Sequence, residues 1–188
     1  MSDMAVLSPR PFSVAEYHRM AQVGLFEDER VELLEGLIVE MSPISPRHWQ
    51  RHAAITGYLY GELGPAVLVV PQGSFPLGDR NEPQPDLALL VPDAYDERGR
   101  PPTPAEILCL IEIADTSLAK DLGPKVRLYA RFGIPDYLVV DLDANVLLHH
   151  SQPHALGYGR VERLPFDATF QLARFPELLL RTNPFLKP

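Results

Sequence analysis

The 188-residue chain has one cysteine, Cys109, and only three lysines, Lys120, Lys125 and Lys187. A lone cysteine excludes an intramolecular disulfide framework and any zinc ribbon built on thiolates. Long apolar runs are missing as well, the longest being VLVV at 67–70, LALLV at 87–91 and ILCLI at 107–111. A spanning helix needs ~20 such residues in succession, so no membrane passage is expected. The opening MSDMAVLSPRPF lacks the basic start and apolar stretch of a signal peptide, and the expected setting is the reducing cytoplasm. An excess of basic charge is absent too, with 17 basic residues against 25 acidic ones and a net charge of -8. Proteins that bind nucleic acid mainly by neutralising phosphates are basic, so any such contact here is local or metal-assisted. No GxGxxG, P-loop or GxSxG sequence occurs, which removes support for nucleotide cofactors and α/β-hydrolase chemistry.

What the chain does have is an ordinary globular balance, 46% hydrophobic and 22% charged, with 20 prolines, about twice the usual ~5%. Its length and the absence of repeats or linkers point to one domain over 1–188. SVAEYHRMAQV at 13–23 reads as a helix, with Ser13 and Glu16 at capping-box spacing and Gly24 at the stop. RVELLEGLIVEM at 30–41 reads as a β-hairpin turning at Glu35-Gly36. A second helix is expected from Ser45, with Pro46 at its first position, to Gly64. Its stripe Trp49, Ala53, Thr56, Leu59 and Leu63 is the face expected to pack inward. AVLVV, GSFPL and PDLALLV between 66 and 91 read as short strands, and 92–106 as an exposed loop. ILCLIEIA at 107–114 is almost continuously apolar, the mark of a strand buried on both faces. A helix from about Asp121 follows, with Pro124 in its first turn and Gly133 as its stop. Then come the strands DYLVVDL and NVLLHH, a less regular tail from Gly157 and a possible strand GRVERL. The expected class is α/β or α+β, a central mixed sheet flanked by helices.

The chemistry-bearing oddity is Glu112, a carboxylate inside ILCLIEIA. A buried charge must be paired, protonated or bound to a cation. Asp86 stands similarly at the head of DLALLV, and either acid alone could simply cap a strand end. Two acids on neighbouring strands repel unless a shared proton or a divalent cation joins them, and oxygen ligands suit magnesium or manganese. Lys125 lies four residues after Asp121, and helical side chains tilt toward the N-terminus, which leans it toward the Glu112 strand. There it could orient a water or offset charge on a phosphate oxygen; the same spacing also suits a surface lysine paired with Asp121 or Glu112. His48 and His52 are spaced i, i+4 but lack the glutamate of a zinc protease, with Trp49 in its place. His149, His150 and His154 have no ligand pattern beside them, and Cys109 reads as core.

Taken together, Pro85-Asp86, the stretch 112–142 and VELLEGLIVEMSPISPRH at 31–48 resemble the Uma-type restriction endonuclease family, a branch of the PD-(D/E)XK nuclease superfamily. The resemblance runs from about residue 12 to 180. It implies a restriction-endonuclease-like core and Mg²⁺ (or Mn²⁺) held by Asp86, Glu112 and the carbonyl of Ile113. The superfamily lysine two residues after the glutamate is Ala114 here. In this branch a lysine on the next helix takes its role, matched by Lys125, with Lys120 as the fallback. Glu32 matches the family's additional acid better than Glu35. The function implied is Mg²⁺-dependent hydrolysis of DNA phosphodiester bonds by a cytoplasmic homodimer. Two alternatives stand beside it: a catalytically weak nuclease-fold protein that binds nucleic acid or regulates, and a hydrolase of a smaller phosphodiester. Arg127 and Arg131, one turn apart, could grip a nucleic-acid backbone but read better as a solvated face.

Overall fold

The computed structural model describes residues 9–95 and 99–187. Its centre is a six-stranded mixed sheet in the order β3-β4-β5-β6-β7-β8. The strands are β3 (Leu68–Pro71), β4 (Leu87–Leu90), β5 (Ile107–Ala114), β6 (Asp136–Asp141), β7 (Val146–His154) and β8 (Gly157–Leu164). Only β5 and β6 run parallel, because only they are joined by a helical crossover; the other neighbours are antiparallel. All eight residues of β5 are buried, Glu112 among them. Its alternate side chains feed two cores. Cys109, Ile111 and Ile113 join one with Ile55, Leu59 and Leu63, while Leu110 and Ala114 join the other with Leu128 and Tyr129. Among the described residues no helix is long and apolar enough to cross a membrane.

Helix α1 (Val14–Gln22) carries the expected capping box, Ser13 Oγ accepting from Glu16 N–H and Glu16 from Ser13 N–H. The hairpin of β1 (Val31–Leu34) and β2 (Leu37–Glu40) turns on Glu35 at φ 53° and Gly36 at φ 77°. A Cβ on Gly36 would stand 2.4 Å from Pro11 Cβ, so only glycine fits there. Helix α2 (Pro46–Leu63) begins as expected, with Ser45 Oγ capping His48 N–H.

Four expectations need correction. The buried face of α2 is His48, His52, Ile55, Leu59 and Leu63, rotated from the predicted stripe; Trp49 is 51% exposed and Ala53 is exposed. The imidazoles turn inward because His48 and His52 both reach Asp86. GSFPL at 73–77 is no strand. Pro76, Pro83 and Pro85 remove donors that a ladder needs, and Phe75 and Leu77 instead bond back to Pro83 and Asn81 while burying their side chains. The crossover helix starts at α3 (Leu118–Lys120), passes through a π turn (Asp121–Lys125) and continues as α4 (Val126–Arg131). Pro124 therefore lies in the second turn, where its missing N–H is accommodated by the widened coil and Tyr137 Oη donates to the Asp121 carbonyl at 3.0 Å. Finally, the tail is regular: β8 is followed by a hairpin of β9 (Thr169–Leu172) and β10 (Phe175–Arg181) that covers one sheet face through Phe170, Leu172 and Leu180. Of the expected loop 92–106, residues 96–98 lie outside the described residues, as do 1–8 at the N-terminus; the rest of the loop buries Ala94 and Pro102 and ends in a 3-10 turn, Pro104–Glu106.

Candidate active site

Antiparallel register brings the two strand acids together. Leu87 pairs with Ile111, so the next step along the ladder sets Asp86 beside Glu112 at one end of the sheet. Asp86 Oδ2 accepts from the Ile113 N–H at 2.7 Å, its Oδ1 stands 2.9 Å from His48 Nε2, and its backbone carbonyl lies 3.0 Å from His52 Nε2. Alternation along β5 points Glu112 to the face where the crossover helix lies. Lys125 Nζ donates to Glu112 Oε1 at 2.7 Å, and Tyr129 Oη donates to the same oxygen at 3.2 Å. The backward lean read from the helix spacing thus closes the Lys125–Glu112 contact.

The hairpin supplies a third acid. Glu32 is fully buried, accepts from Gln84 N–H at 3.1 Å, and bridges Lys120 at 2.8 Å and Lys125 at 3.0 Å. Glu35 points away, exposed, to Arg131 at 2.7 Å. Asp121, spaced i, i+4 from Lys125 across the π turn, is buried 3.9 Å from its ammonium and accepts from Ser117 Oγ. Asp86, Glu112, Ile113, Lys120 and Lys125 all line one cleft of about 40 Å³. That is room for roughly three or four waters at the ~10–15 Å³ each requires.

Burial pushes the Glu112 carboxyl well above its ordinary range; Lys125 opposes this, and Asp121, Asp86 and Glu32 add to it. Burial likewise raises Asp121 against the pull of Lys125 and Ser117. At Glu32 burial is the largest influence and acts upward, but Lys125, Lys120 and the Gln84 N–H outweigh it and hold the carboxyl low. Lys125 is raised, since its three carboxylates outweigh its own desolvation. The pattern is one of acids crowded beyond what two lysines neutralise, the condition that invites a cation.

The donor set fits a hard divalent ion. Asp86 and Glu112 offer carboxylate oxygens, and Asp121 Oδ1 is buried without a hydrogen-bond partner. Among the described residues no three His, Cys, Asp or Glu side chains are grouped to hold an ion alone. A cation here would complete its shell with water and backbone oxygen, as magnesium commonly does.

Sequence reasoning did not foresee His48 as the partner of Asp86, Tyr129 on Glu112, or the burial of Asp121. The i, i+4 histidines were the available signal for the first. Asp115, just past β5, receives Ser45 Oγ and Arg47 at 3.4 Å, which ties the start of α2 to the rim of the cleft. Arg127 and Arg131 lie on the outer side of α4 beside Glu35, away from the acids.

Nothing matches among the curated proteins. Among solved structures the chain is similar to a crystal structure of "a putative nuclease belonging to DUF820" from Anabaena variabilis. The two are 15% identical with a TM-score of 0.73, and the likeness covers 93% of this chain and 97% of that one. At that identity it shows the fold. The model of the Uma2 family, described as "Putative restriction endonuclease", matches residues 14–183, nearly the whole length, and the chain belongs to that family.

Proposed function

We propose that this protein is a Mg²⁺- or Mn²⁺-dependent endonuclease that hydrolyses DNA phosphodiester bonds. The observation that carries the reading is the meeting of Asp86, Glu112 and Lys125 in one cleft, with the ammonium 2.7 Å from Glu112. Asp86 and Glu112 would hold the ion. The Ile113 carbonyl suits the remaining place, because the N–H and C=O of a strand residue leave by the same edge and the N–H already faces Asp86. When bound, the ion would polarise a phosphate oxygen and lower the pKa of a coordinated water.

The chain's own residues prepare that chemistry. His48 and the Ile113 N–H grip the two oxygens of Asp86 and fix its carboxylate plane. Lys125 favours the ionised form of Glu112 against burial and sets a fixed positive charge beside the reacting centre. Glu32 is a positioning residue that holds both ammonium groups in place. Lys125 is 1% exposed and Lys120 19%, so Lys120 is the lysine open to an arriving phosphate. A second copy of the chain would offer one such cleft to each strand of a duplex, and we extend the proposal to a cytoplasmic homodimer.

The test is nicking of supercoiled plasmid with Mg²⁺ or Mn²⁺, wild type beside Asp86→Asn, with thermal melts to show that both are folded. Cleavage by the wild type that Asp86→Asn abolishes supports the reading. No cleavage by the folded wild type in either metal would favour a nuclease-fold binding module instead.

A further inference from the structure

The basic side chains at the cleft differ in what they already hold. Lys125 is taken by Glu112 and Glu32, Lys120 by Glu32, and His48 by Asp86. Arg47, on the rim, is taken by Asp115 and Asp143. Arg30 lines the same cleft, is exposed, and among the described residues has no acidic or hydrogen-bonded side-chain partner. Its backbone is nonetheless fixed, since Met41 N–H donates to the Arg30 carbonyl at 2.8 Å and extends the β1–β2 ladder by one step. Side chains two apart on a strand share a face, so Arg30 stands on the side of Glu32, displaced toward the mouth by two strand residues. Glu32 is fully buried at the floor and Arg30 open at the rim.

Charge gives that placement a purpose. Asp86, Glu112, Asp115 and Asp121 line the cleft, and a phosphodiester strand approaching them is repelled. A guanidinium is always charged and presents paired donors that match phosphate oxygens. We infer that Arg30 grips a substrate phosphate neighbouring the one that is cut, holding the strand at the mouth of the cleft. The inference rests on the nuclease reading above and adds a substrate-binding residue to it.

The experiment measures binding of a labelled duplex and a labelled single strand by fluorescence anisotropy across a salt series. Ca²⁺ replaces Mg²⁺ to support binding without cleavage. Wild type is compared with Arg30→Ala, Arg30→Lys and, as a control on the distant strand β8, Arg163→Ala; calorimetry with Mn²⁺ alone monitors the ion site. Arg30→Ala is expected to weaken DNA binding roughly ten- to a hundredfold. The slope of log K against log salt should fall by about 0.9 for a duplex or about 0.7 for a single strand, one phosphate contact. Arg30→Lys should keep the slope and recover part of the affinity, with Mn²⁺ binding unchanged in every variant. In cleavage assays the loss should appear in KM rather than kcat. Wild-type affinity and slope in Arg30→Ala, beside a wild type that does bind DNA, would overturn the inference and leave the nuclease reading standing. Loss of Mn²⁺ binding in Arg30→Ala would also overturn it, by making Arg30 a support of the ion site. A wild type that binds Mn²⁺ but neither form of DNA would overturn the DNA reading itself, and the inference with it.

Discussion

Two carboxylate–imidazole pairs stand at opposite ends of the central strands. At one end His48 meets Asp86 at 2.9 Å, and at the other His149 meets Asp136 at 2.7 Å. Both aspartates use their second oxygen on a backbone N–H, Ile113 for Asp86 and Ala173 for Asp136. Locally the two are nearly the same device, yet their neighbourhoods differ. Around Asp86 lie Glu112, Asp121 and Glu32 with only two lysines among them, and burial raises the carboxyls of Glu112 and Asp121. Among the described residues no lysine pairs with Asp136, and Glu162, 3.8 Å from His149, is already bonded to Arg160. The Asp136 pair is therefore a staple, fastening the β9–β10 hairpin to the sheet through Ala173. The larger cavity, about 390 Å³, opens beside this staple, whereas the crowded acids have about 40 Å³. Under the proposed function, unbalanced buried charge, and not the size of the hollow, marks the reacting centre.

If the comparison holds, substitutions at the two ends should separate activity from stability. Glu112→Gln should reduce plasmid cleavage on the order of a thousandfold or more, several kcal/mol of lost charge stabilisation. Its stability in urea should change by less than about 1 kcal/mol, because Lys125 keeps Glu32 at 3.0 Å and Asp121 at 3.9 Å and the site sheds an acid that burial disfavours. Asp136→Ala should do the reverse. It leaves His149 and the Ala173 N–H without their buried acceptor and should lower stability by about 3–5 kcal/mol, while the folded fraction still cleaves.

A third acid gives the smallest effect and sharpens the contrast. Glu106, half-buried just before β5, is held at about 2 by Arg100 first, then by the Thr103 backbone and hydroxyl. A carboxyl depressed on folding stabilises the protein above its unfolded value near 4.5 and loses that contribution as pH falls toward 2. Glu106→Gln should therefore melt slightly below the wild type at pH 7, with the gap closing near pH 2, and Mn²⁺ binding should be unaffected.

Local signals in the sequence were read correctly where the local backbone decides the outcome. The Ser13–Glu16 box, Ser45-Pro46 and the unbroken apolar run of β5 each specify an element through neighbours in sequence. The Lys125–Glu112 contact was legible for the same reason, as helix spacing and side-chain tilt sufficed. Partners distant in the chain were less visible. The rotation of α2 depends on His48 and His52 finding Asp86, 38 and 34 residues away in numbering, and an apolar count favoured Trp49. The strand expected at 73–77 looked apolar enough, but Pro76 and its partners Pro83 and Pro85 leave too few donors for a ladder. Pro124 suggested a first turn, whereas the π turn let the helix begin earlier and carry the proline inside.

On the reading proposed above, Asp86 and Glu112 form a divalent-cation site while Asp136 forms a staple. Calorimetric titration of Mn²⁺ into wild type, Glu112→Gln and Asp136→Ala, under conditions where all three are folded, tests it most directly. Wild type and Asp136→Ala should bind the ion, and Glu112→Gln should not. Mn²⁺ binding that survives in Glu112→Gln, or fails in the wild type, would contradict it.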